Sequence, residues 1–208
     1  NDIFSPQSIC GSTAPDTLKG TVPTGGTGTL AYLWEVATTS SGPFSSASVS
    51  TPFYKPGVLT ATRWYRRRVT AGVCPANYSD TIEITVTPAI ATNTISASQT
   101  ICTGFTPASF TGSLPTGGTG VYTFEWESST TSATTGFSPI ASSNVQSYAS
   151  GALTVNTWFR RKVYSGPLCV ATSGAVSITI NQPTANNDIS APQNICANTV
   201  PAQLTGTL

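Results

Sequence analysis

Apolar and polar residues alternate along several segments of this chain, and alternation with a period of two predicts β-strands rather than helices. The clearest segment spans residues 30–36, where Trp34 lies on the side that carries the other large apolar residues. Two more segments span residues 63–70 and 81–87, and a proline follows the second of them. Proline ends strands because it has no amide hydrogen for the ladder. The pattern predicts an all-β fold with Trp34 in the core.

The order of segments repeats along the chain. Residues 1–10 reappear as residues 93–102 and as residues 187–196, which sets the period at 92 and then 94 residues. In the first unit, residues 3–10 are predicted to form a single strand, the first of the domain. A unit of about 90 residues matches one immunoglobulin-like β-sandwich, so we expect tandem immunoglobulin-like β-sandwich domains. The expected bounds are 1–90, 91–186 and, for a truncated third domain, 187–208.

Charged residues are scarce, at 8% of the chain with a net charge of +1. Nucleic-acid binding requires clustered Lys and Arg that displace counterions from phosphates, so this composition argues against it. The segment contains neither a signal sequence nor an apolar run long enough to span a membrane. We therefore expect an excerpt of a longer protein, and a Thr-rich, charge-poor β-protein indicates an extracellular, cell-surface location.

Residues suited to catalysis or metal binding are few. Histidine is absent from the sequence, which removes the commonest general base. Glu125 and Glu127 could be drawn as a glycosidase pair, but residues i and i+2 share one strand face, and the first unit has Leu33 in place of Glu125. The glycine-rich residues 23–28 precede a strand instead of the helix that a phosphate loop needs, so they are interpreted as a turn. We predict no enzymatic activity, no cofactor and no metal site.

The second long strand of each unit carries most of the cationic residues. On an alternating strand Trp64 and Arg66 share the outward face, whereas Tyr65, Arg67 and Val69 share the inward face. Arg67 is then a charged residue on the core side. The position of Arg67 is the one conflict between charge and pattern in this strand.

Two cross-strand ion pairs are expected on the outward face, Glu35 with Arg66 and Glu127 with Arg160. An arginine is also expected to stack on Trp64 or Trp158. The alternative is a binding platform for a surface polysaccharide or other glycan, with an aromatic face for the sugar ring and a guanidinium for its polar groups. The candidate ligand surface comprises Trp64, Arg66, Trp158 and Arg160.

Five cysteines recur at matching places, which favours disulfides in an oxidising compartment. The simplest scheme pairs Cys10 with Cys74 and Cys102 with Cys169, and leaves Cys196 unpaired or bonded to a missing partner. A second scheme pairs Cys10 with Cys169 across the unit junction, because an immunoglobulin-like strand order puts Cys10 and Cys74 at opposite poles. A third pairs Cys74 with Cys102 and Cys169 with Cys196.

The landmarks taken together are the Asn-x-Ile-Ser and Gln-x-Ile-Cys start, the Pro-Thr-Gly-Gly-Thr-Gly turn, the Trp-Glu pair, the aromatic-Arg-Arg stretch and the late cysteine. This combination resembles the Ig-like or PKD-like tandem repeats of large Bacteroidota cell-surface proteins, such as gliding-motility adhesins and other cargo of type IX secretion. The resemblance implies a secreted stalk or adhesin whose partners are neighbouring repeats of the same chain. Thr17 and Thr81 lie in Asp-Thr-apolar triplets that resemble the O-glycosylation motif of such proteins.

Two other functions are open at this point. One is a carbohydrate-binding module of a secreted polysaccharide-degrading enzyme. The other is a subunit of a self-assembling extracellular filament, which the repetition alone suggests.

Overall fold

The structure is a computed structural model that describes residues 1–185 and 187–206. The regular elements in those residues are strands, which confirms the all-β prediction. The first repeat contains β1 (Ile3–Phe4), β2 (Gln7–Cys10), β3 (Lys19–Gly20), β4 (Leu30–Ala37), β5 (Ser45–Ser46), β6 (Arg63–Ala71), β7 (Asn77–Tyr78) and β8 (Ile82–Thr87). The second contains β9 (Gln99–Cys102), β10 (Thr123–Ser129), β11 (Ser138–Pro139), β12 (Thr157–Ser165), β13 (Cys169–Thr172) and β14 (Val176–Asn181).

Each repeat is a sandwich of one wide and one narrow layer. The wide sheets have the strand orders β2-β8-β6-β4-β5 and β9-β14-β12-β10-β11, with β7 paired to β6 and β13 paired to β12. The narrow layer of the first repeat consists of β1 with β3, extended by the bridge between Leu18 and Tyr54. In the second repeat the bridge between Phe110 and Tyr148 occupies the same place. The tandem immunoglobulin-like β-sandwich expectation is therefore confirmed.

The predicted first strand, residues 3–10, is two strands in the structure. β1 pairs antiparallel with β3 in the narrow layer, whereas β2 pairs in parallel with β8 in the wide sheet. Ser5 between them has a φ of 77°, in the left-handed region, and this residue redirects the chain from one layer to the other. The switch brings Cys10 to the end of the wide sheet where β8 leaves the domain.

The cores are built around one tryptophan each, Trp34 and Trp126, and both are fully buried. Each indole nitrogen donates to a backbone carbonyl, Trp34 to Thr51 O at 3.0 Å and Trp126 to Val145 O at 2.9 Å. A buried side chain of this size contributes about 2 to 3 kcal/mol through apolar area alone. The satisfied indole nitrogen removes the cost of burying its polar end.

The third repeat begins in the same way as the first. Ile189 forms a bridge with Gly206, as Ile3 does with Gly20. The predicted domain bounds at residues 186 and 208 lie outside the described residues.

Candidate functional site

The outward face of β4 and β6 carries an ion pair flanked by aromatic rings. Arg66 Nε donates to Glu35 Oε2 at 2.6 Å, and the two residues are opposite each other in the ladder. The Arg66 guanidinium carbon lies 4.2 Å from the centre of the Phe44 ring and 4.4 Å from that of Tyr78. The predicted Glu35–Arg66 pair is confirmed.

The second repeat has the same pair with a lysine added. Arg160 Nε and Lys162 Nζ each donate to one carboxylate oxygen of Glu127 at 2.6 Å. The side chain of Glu127 is only 4% exposed. Burial by itself would raise the pKa of Glu127, but the hydrogen bonds from Lys162 and Arg160 and their charges outweigh it and hold that pKa below its ordinary value. The predicted Glu127–Arg160 pair is confirmed, and it is ionised.

The expected stacking of an arginine on Trp64 or Trp158 is wrong, because Arg66 and Arg160 stack on other rings. Arg160 lies 4.0 Å from the ring centre of Phe137, next to β11, and the rings beside Arg66 likewise come from adjacent segments. Residues i and i+2 of one strand are about 6.6 Å apart, whereas adjacent strands lie about 4.8 Å apart. Rings on neighbouring segments therefore approach the guanidinium more closely than Trp64 or Trp158 can.

The candidate ligand surface lies where the alternation places it, but its cations are already engaged. Trp64 and Trp158 are half-buried on the outward face of β6 and β12. Arg66 and Arg160 are held by carboxylates and ring faces, so a bound sugar would have to displace these contacts or use the tryptophans alone. A ligand at this surface stays a prediction.

Glu125 and Glu127 are arranged as members of an ion-pair network. Both contact Lys162 Nζ, at 3.6 and 2.6 Å, and the Tyr164 hydroxyl donates to Glu125 at 3.2 Å. A glycosidase general acid needs a carboxyl whose pKa is raised, and the pKa of Glu127 is lowered. The geometry supports a structural role for this pair.

Arg67, on the inward face, is 1% exposed and bonded on every nitrogen. Its Nε donates to Asn1 Oδ1 at 3.0 Å, Nη1 to Pro52 O at 2.9 Å and Nη2 to Thr21 O at 2.6 Å. Burial lowers the pKa of Arg67, yet a guanidinium keeps its charge in proteins. Three carbonyl-type oxygens from three separate segments thus stabilise one buried cation.

The second repeat reproduces this arrangement. Arg161 is fully buried and donates to Asn93 Oδ1 at 3.0 Å, Gln146 O at 2.8 Å and Ser113 O at 3.0 Å. Asn93 in turn donates its amide to Arg161 O at 3.1 Å. A Cβ on Gly112 would lie 1.9 Å from Arg161 Nη1, so glycine is required there.

Sequence reasoning recognised the asparagine at the start of each repeat only as a landmark. Its similar separation from the double arginine in both repeats, 66 residues from Asn1 to Arg67 and 68 from Asn93 to Arg161, was the signal for their contact. A charged residue on the core side requires polar partners, and the asparagine that recurs at the start of each repeat is one of them.

The predicted glycosylation positions differ in accessibility. Thr81, just before β8, is exposed. Thr17 is half-buried beside Leu18, whose amide donates to Tyr54 O at 2.7 Å. Modification of Thr17 and Thr81 stays a prediction, and Thr81 is the more open of the two.

The junction between the repeats is built from the linker after β8 and the glycine-rich turn of the second repeat. Gly118 N donates to Pro88 O at 2.9 Å. A Cβ on Gly117 would lie 2.1 Å from Ala89 O, and Gly117 has a φ of 78°. This turn therefore needs glycine both for its backbone conformation and for its close approach to the preceding repeat. The interpretation of the glycine-rich stretch as a turn is confirmed, and its contact with the linker was missed.

A disulfide closes the same junction. Cys10, at the end of β2, is bonded to Cys169, at the start of β13, with a Cα–Cα distance of 5.2 Å. Cys169 is 1% exposed, and its sulfur lies 3.7 Å from Pro88 O. The bond joins residues 159 positions apart in different repeats. The second pairing scheme, Cys10 with Cys169 across the junction, is therefore confirmed.

The within-repeat pairs, Cys10 with Cys74 and Cys102 with Cys169, are wrong. Cys10 is beside Thr87 at the exit of β8, whereas Cys74 follows the far end of β6. A nine-residue strand is about 30 Å long, and a disulfide needs Cα atoms within about 7 Å. Cys74, Cys102 and Cys196 are exposed free thiols.

Among the described residues, no group of three or more histidine, cysteine, aspartate or glutamate side chains is arranged to hold a metal ion. No helix in the same part of the chain is long and apolar enough to cross a membrane.

These layers, the first strand that switches sheets and the buried tryptophans define two immunoglobulin-like β-sandwich domains in tandem. The chain belongs to the DUF8696 family, a domain of unknown function, which matches residues 1–88 and 91–182. No curated protein matches the chain.

Two solved structures are similar to this chain at low identity. The fibronectin(III)-like modules of Clostridium thermocellum CbhA are 11% identical, with 86% of this chain and 94% of that chain covered and a TM-score of 0.40. Immunoglobulin domains 1–4 of Sidekick-1 are 14% identical, with 91% of this chain covered and a TM-score of 0.35. The match covers 48% of the Sidekick-1 chain, about half of its length.

Proposed function

We propose that this chain is a non-enzymatic extracellular segment of a long cell-surface stalk or adhesin. Its repeats hold an attachment or motility-related end away from the cell. The observation that carries the proposal is the junction, where a disulfide and the linker contact at Pro88 fasten one repeat to the next. A bond of this kind forms in an oxidising, extracytoplasmic space. The sequence resemblance to Bacteroidota surface repeats supports the same setting.

A spacer works through its length, so its function should survive replacement by an unrelated pair of sandwich domains of equal length. The test is cell attachment under flow by three strains, with the native segment, with the replacement and with the segment deleted. We expect the replacement to attach like the native strain and the deletion to attach less. Loss of attachment in the replacement strain would show that this segment binds a ligand itself.

The alternative function is a carbohydrate-binding module, and the recurrence of Trp64 and Trp158 on matching outward faces favours it. Glycan titration of the native chain and of the Trp64→Ala, Trp158→Ala double variant tests this alternative. Saturable binding that the double variant loses while both repeats stay folded would support the module. If the native chain binds no glycan, the result would contradict the module and favour the spacer function.

A further inference from the structure

We infer that Cys10–Cys169 is one member of a series, in which the early cysteine of each repeat is bonded to the late cysteine of the following repeat. Exposed Cys102 would then bond to the late cysteine of the third repeat, and exposed Cys74 to the early cysteine of a preceding repeat. Their partners are further repeats of this same domain. The inference deepens the proposed array function and rests on it.

The early cysteines occupy identical places in their sheets. Cys10 is paired with Thr87 in the parallel ladder of β2 and β8, and Cys102 is paired with Asn181 in that of β9 and β14. The amide after each cysteine donates to the same strand end, Gly11 N to Thr87 O at 2.7 Å and Thr103 N to Asn181 O at 2.9 Å. The chain therefore leaves each domain at the same position relative to that domain's early cysteine.

The linkers also have equal length. Six positions separate Thr87 from Asn93, which begins the second repeat, and six separate Asn181 from Asn187, which begins the third. The third repeat therefore begins the same number of residues after the strand end beside Cys102 as the second does after the strand end beside Cys10. A late cysteine of the third repeat would lie beside Cys102, as Cys169 lies beside Cys10.

The surface around Cys74 shows what a preceding repeat would cover. In the second repeat the glycine-rich turn and Cys169 are covered by residues 88–90. In the first repeat the matching turn and Cys74 line an open cavity of about 250 Å³ together with Asn1 and Ala71. A Cβ on Gly25 would meet nothing within 4 Å, whereas the matching Gly117 lies against a linker carbonyl. The linker of a preceding repeat fits this cavity.

Cys74 and Cys102 cannot bond to each other within the chain. Cys74 lies at the end of β6 that points away from the junction, and Cys102 lies at the exit of the second repeat. A whole repeat and more separates the two, which also excludes the Cys74–Cys102 scheme. Each new bond forms by thiol–disulfide exchange. The two thiols lose two protons and two electrons, which reduce a disulfide oxidant of the extracytoplasmic space to its dithiol.

The first test completes the third repeat. Residues 187–208 correspond to residues 1–22, so a copy of residues 23–88 placed after the last residue supplies the rest, including a copy of Cys74. The native chain has three free thiols. The extended chain gains a cysteine, yet we expect two free thiols after oxidative folding, because Cys102 bonds to the copied cysteine. The matched control carries serine at the copied cysteine and should keep three.

A peptide map of the non-reduced extended chain gives the pairing. A bond between Cys102 and the copied cysteine supports the inference. A bond between Cys196 and the copied cysteine would overturn it, because that is the within-repeat scheme.

The second test uses the other end, so that failure of one extension to fold does not decide the result. A copy of residues 91–186 placed before Asn1 supplies a preceding repeat, and its early cysteine should bond to Cys74. Absence of the new bond from both extended chains overturns the inference. Such a failure leaves the attachment experiment with the length-matched replacement unaffected, so it is distinguishable from failure of the proposed function.

Discussion

At the scale of single residues, the two core arginines show how one position sets requirements on distant ones. Arg161 fixes Asn93 through its Nε and excludes any side chain at Gly112. A lysine is a point charge and cannot reach three separated acceptors. At this position the positive charge matters less than the planar guanidinium, whose nitrogens donate to three separate segments.

We expect Arg161→Lys to lower the free energy of unfolding of the second repeat by about 3 kcal/mol, because two buried carbonyls lose their donor. The matched control is Arg160→Lys on the same strand, whose side chain is 26% exposed and makes one carboxylate contact. Urea unfolding followed by NMR, through the separate indole N–H resonances of Trp34 and Trp126, reports each core by itself. Equal losses in the two variants would contradict this role for Arg161.

Glu127 should make the stability of the second repeat depend on acid pH. Its pKa is lowered in the folded protein, so its contribution is present above the unfolded pKa of about 4.3 and is lost as pH falls through the lower folded value. We expect Glu127→Gln to cost about 1 to 3 kcal/mol at pH 7 and progressively less below pH 4. Thermal unfolding of both proteins from pH 7 to pH 2.5 measures this difference, and a difference independent of pH would refute it.

At the scale of elements, the glycine-rich turns offer a matched comparison, because Gly25 and Gly117 have similar φ values of 84° and 78°. Alanine at either position meets the same left-handed strain of about 1 kcal/mol. Only Gly117→Ala also pushes against Ala89 O. We therefore expect faster hydrogen exchange at the Gly118 amide, which donates to Pro88 O, in Gly117→Ala and unchanged exchange there in Gly25→Ala. Equal exchange in both would mean that the turn does not hold the linker.

The same elements show what the sequence could predict. The strands around Trp34 and Arg66 followed from side-chain alternation, because that period is a local property. The division of residues 3–10 between two layers depends on Ser5, and nothing in the alternation shows a left-handed serine. The cysteine pairing was left open because it depends on where the ends of β2 and β6 lie in space, and spacing along the chain favoured the wrong partner for Cys10.

At the scale of the whole molecule, the Cys10–Cys169 bond changes which residues carry load when the chain is pulled from its ends. Tension passes from residues 1–10 through the sulfur atoms to residue 169, so the residues between them are outside the path. Both tryptophan cores lie within that bypassed stretch. A chain cross-linked in this way resists extension of the bypassed residues without needing unusually stable domains.

Single-molecule stretching of the chain between its two ends tests this consequence. With the disulfide intact, we expect the fully extended chain to be shorter by about 540 Å than after reduction, since the bond prevents extension of 159 residues at about 3.4 Å each. The Cys10→Ser, Cys169→Ser double variant should behave like the reduced chain whether or not reductant is present. If the oxidised native chain instead released its full length, the bond would not be in the load path. The repeats would then unfold in sequence under tension, and a force-bearing role for this junction would be lost.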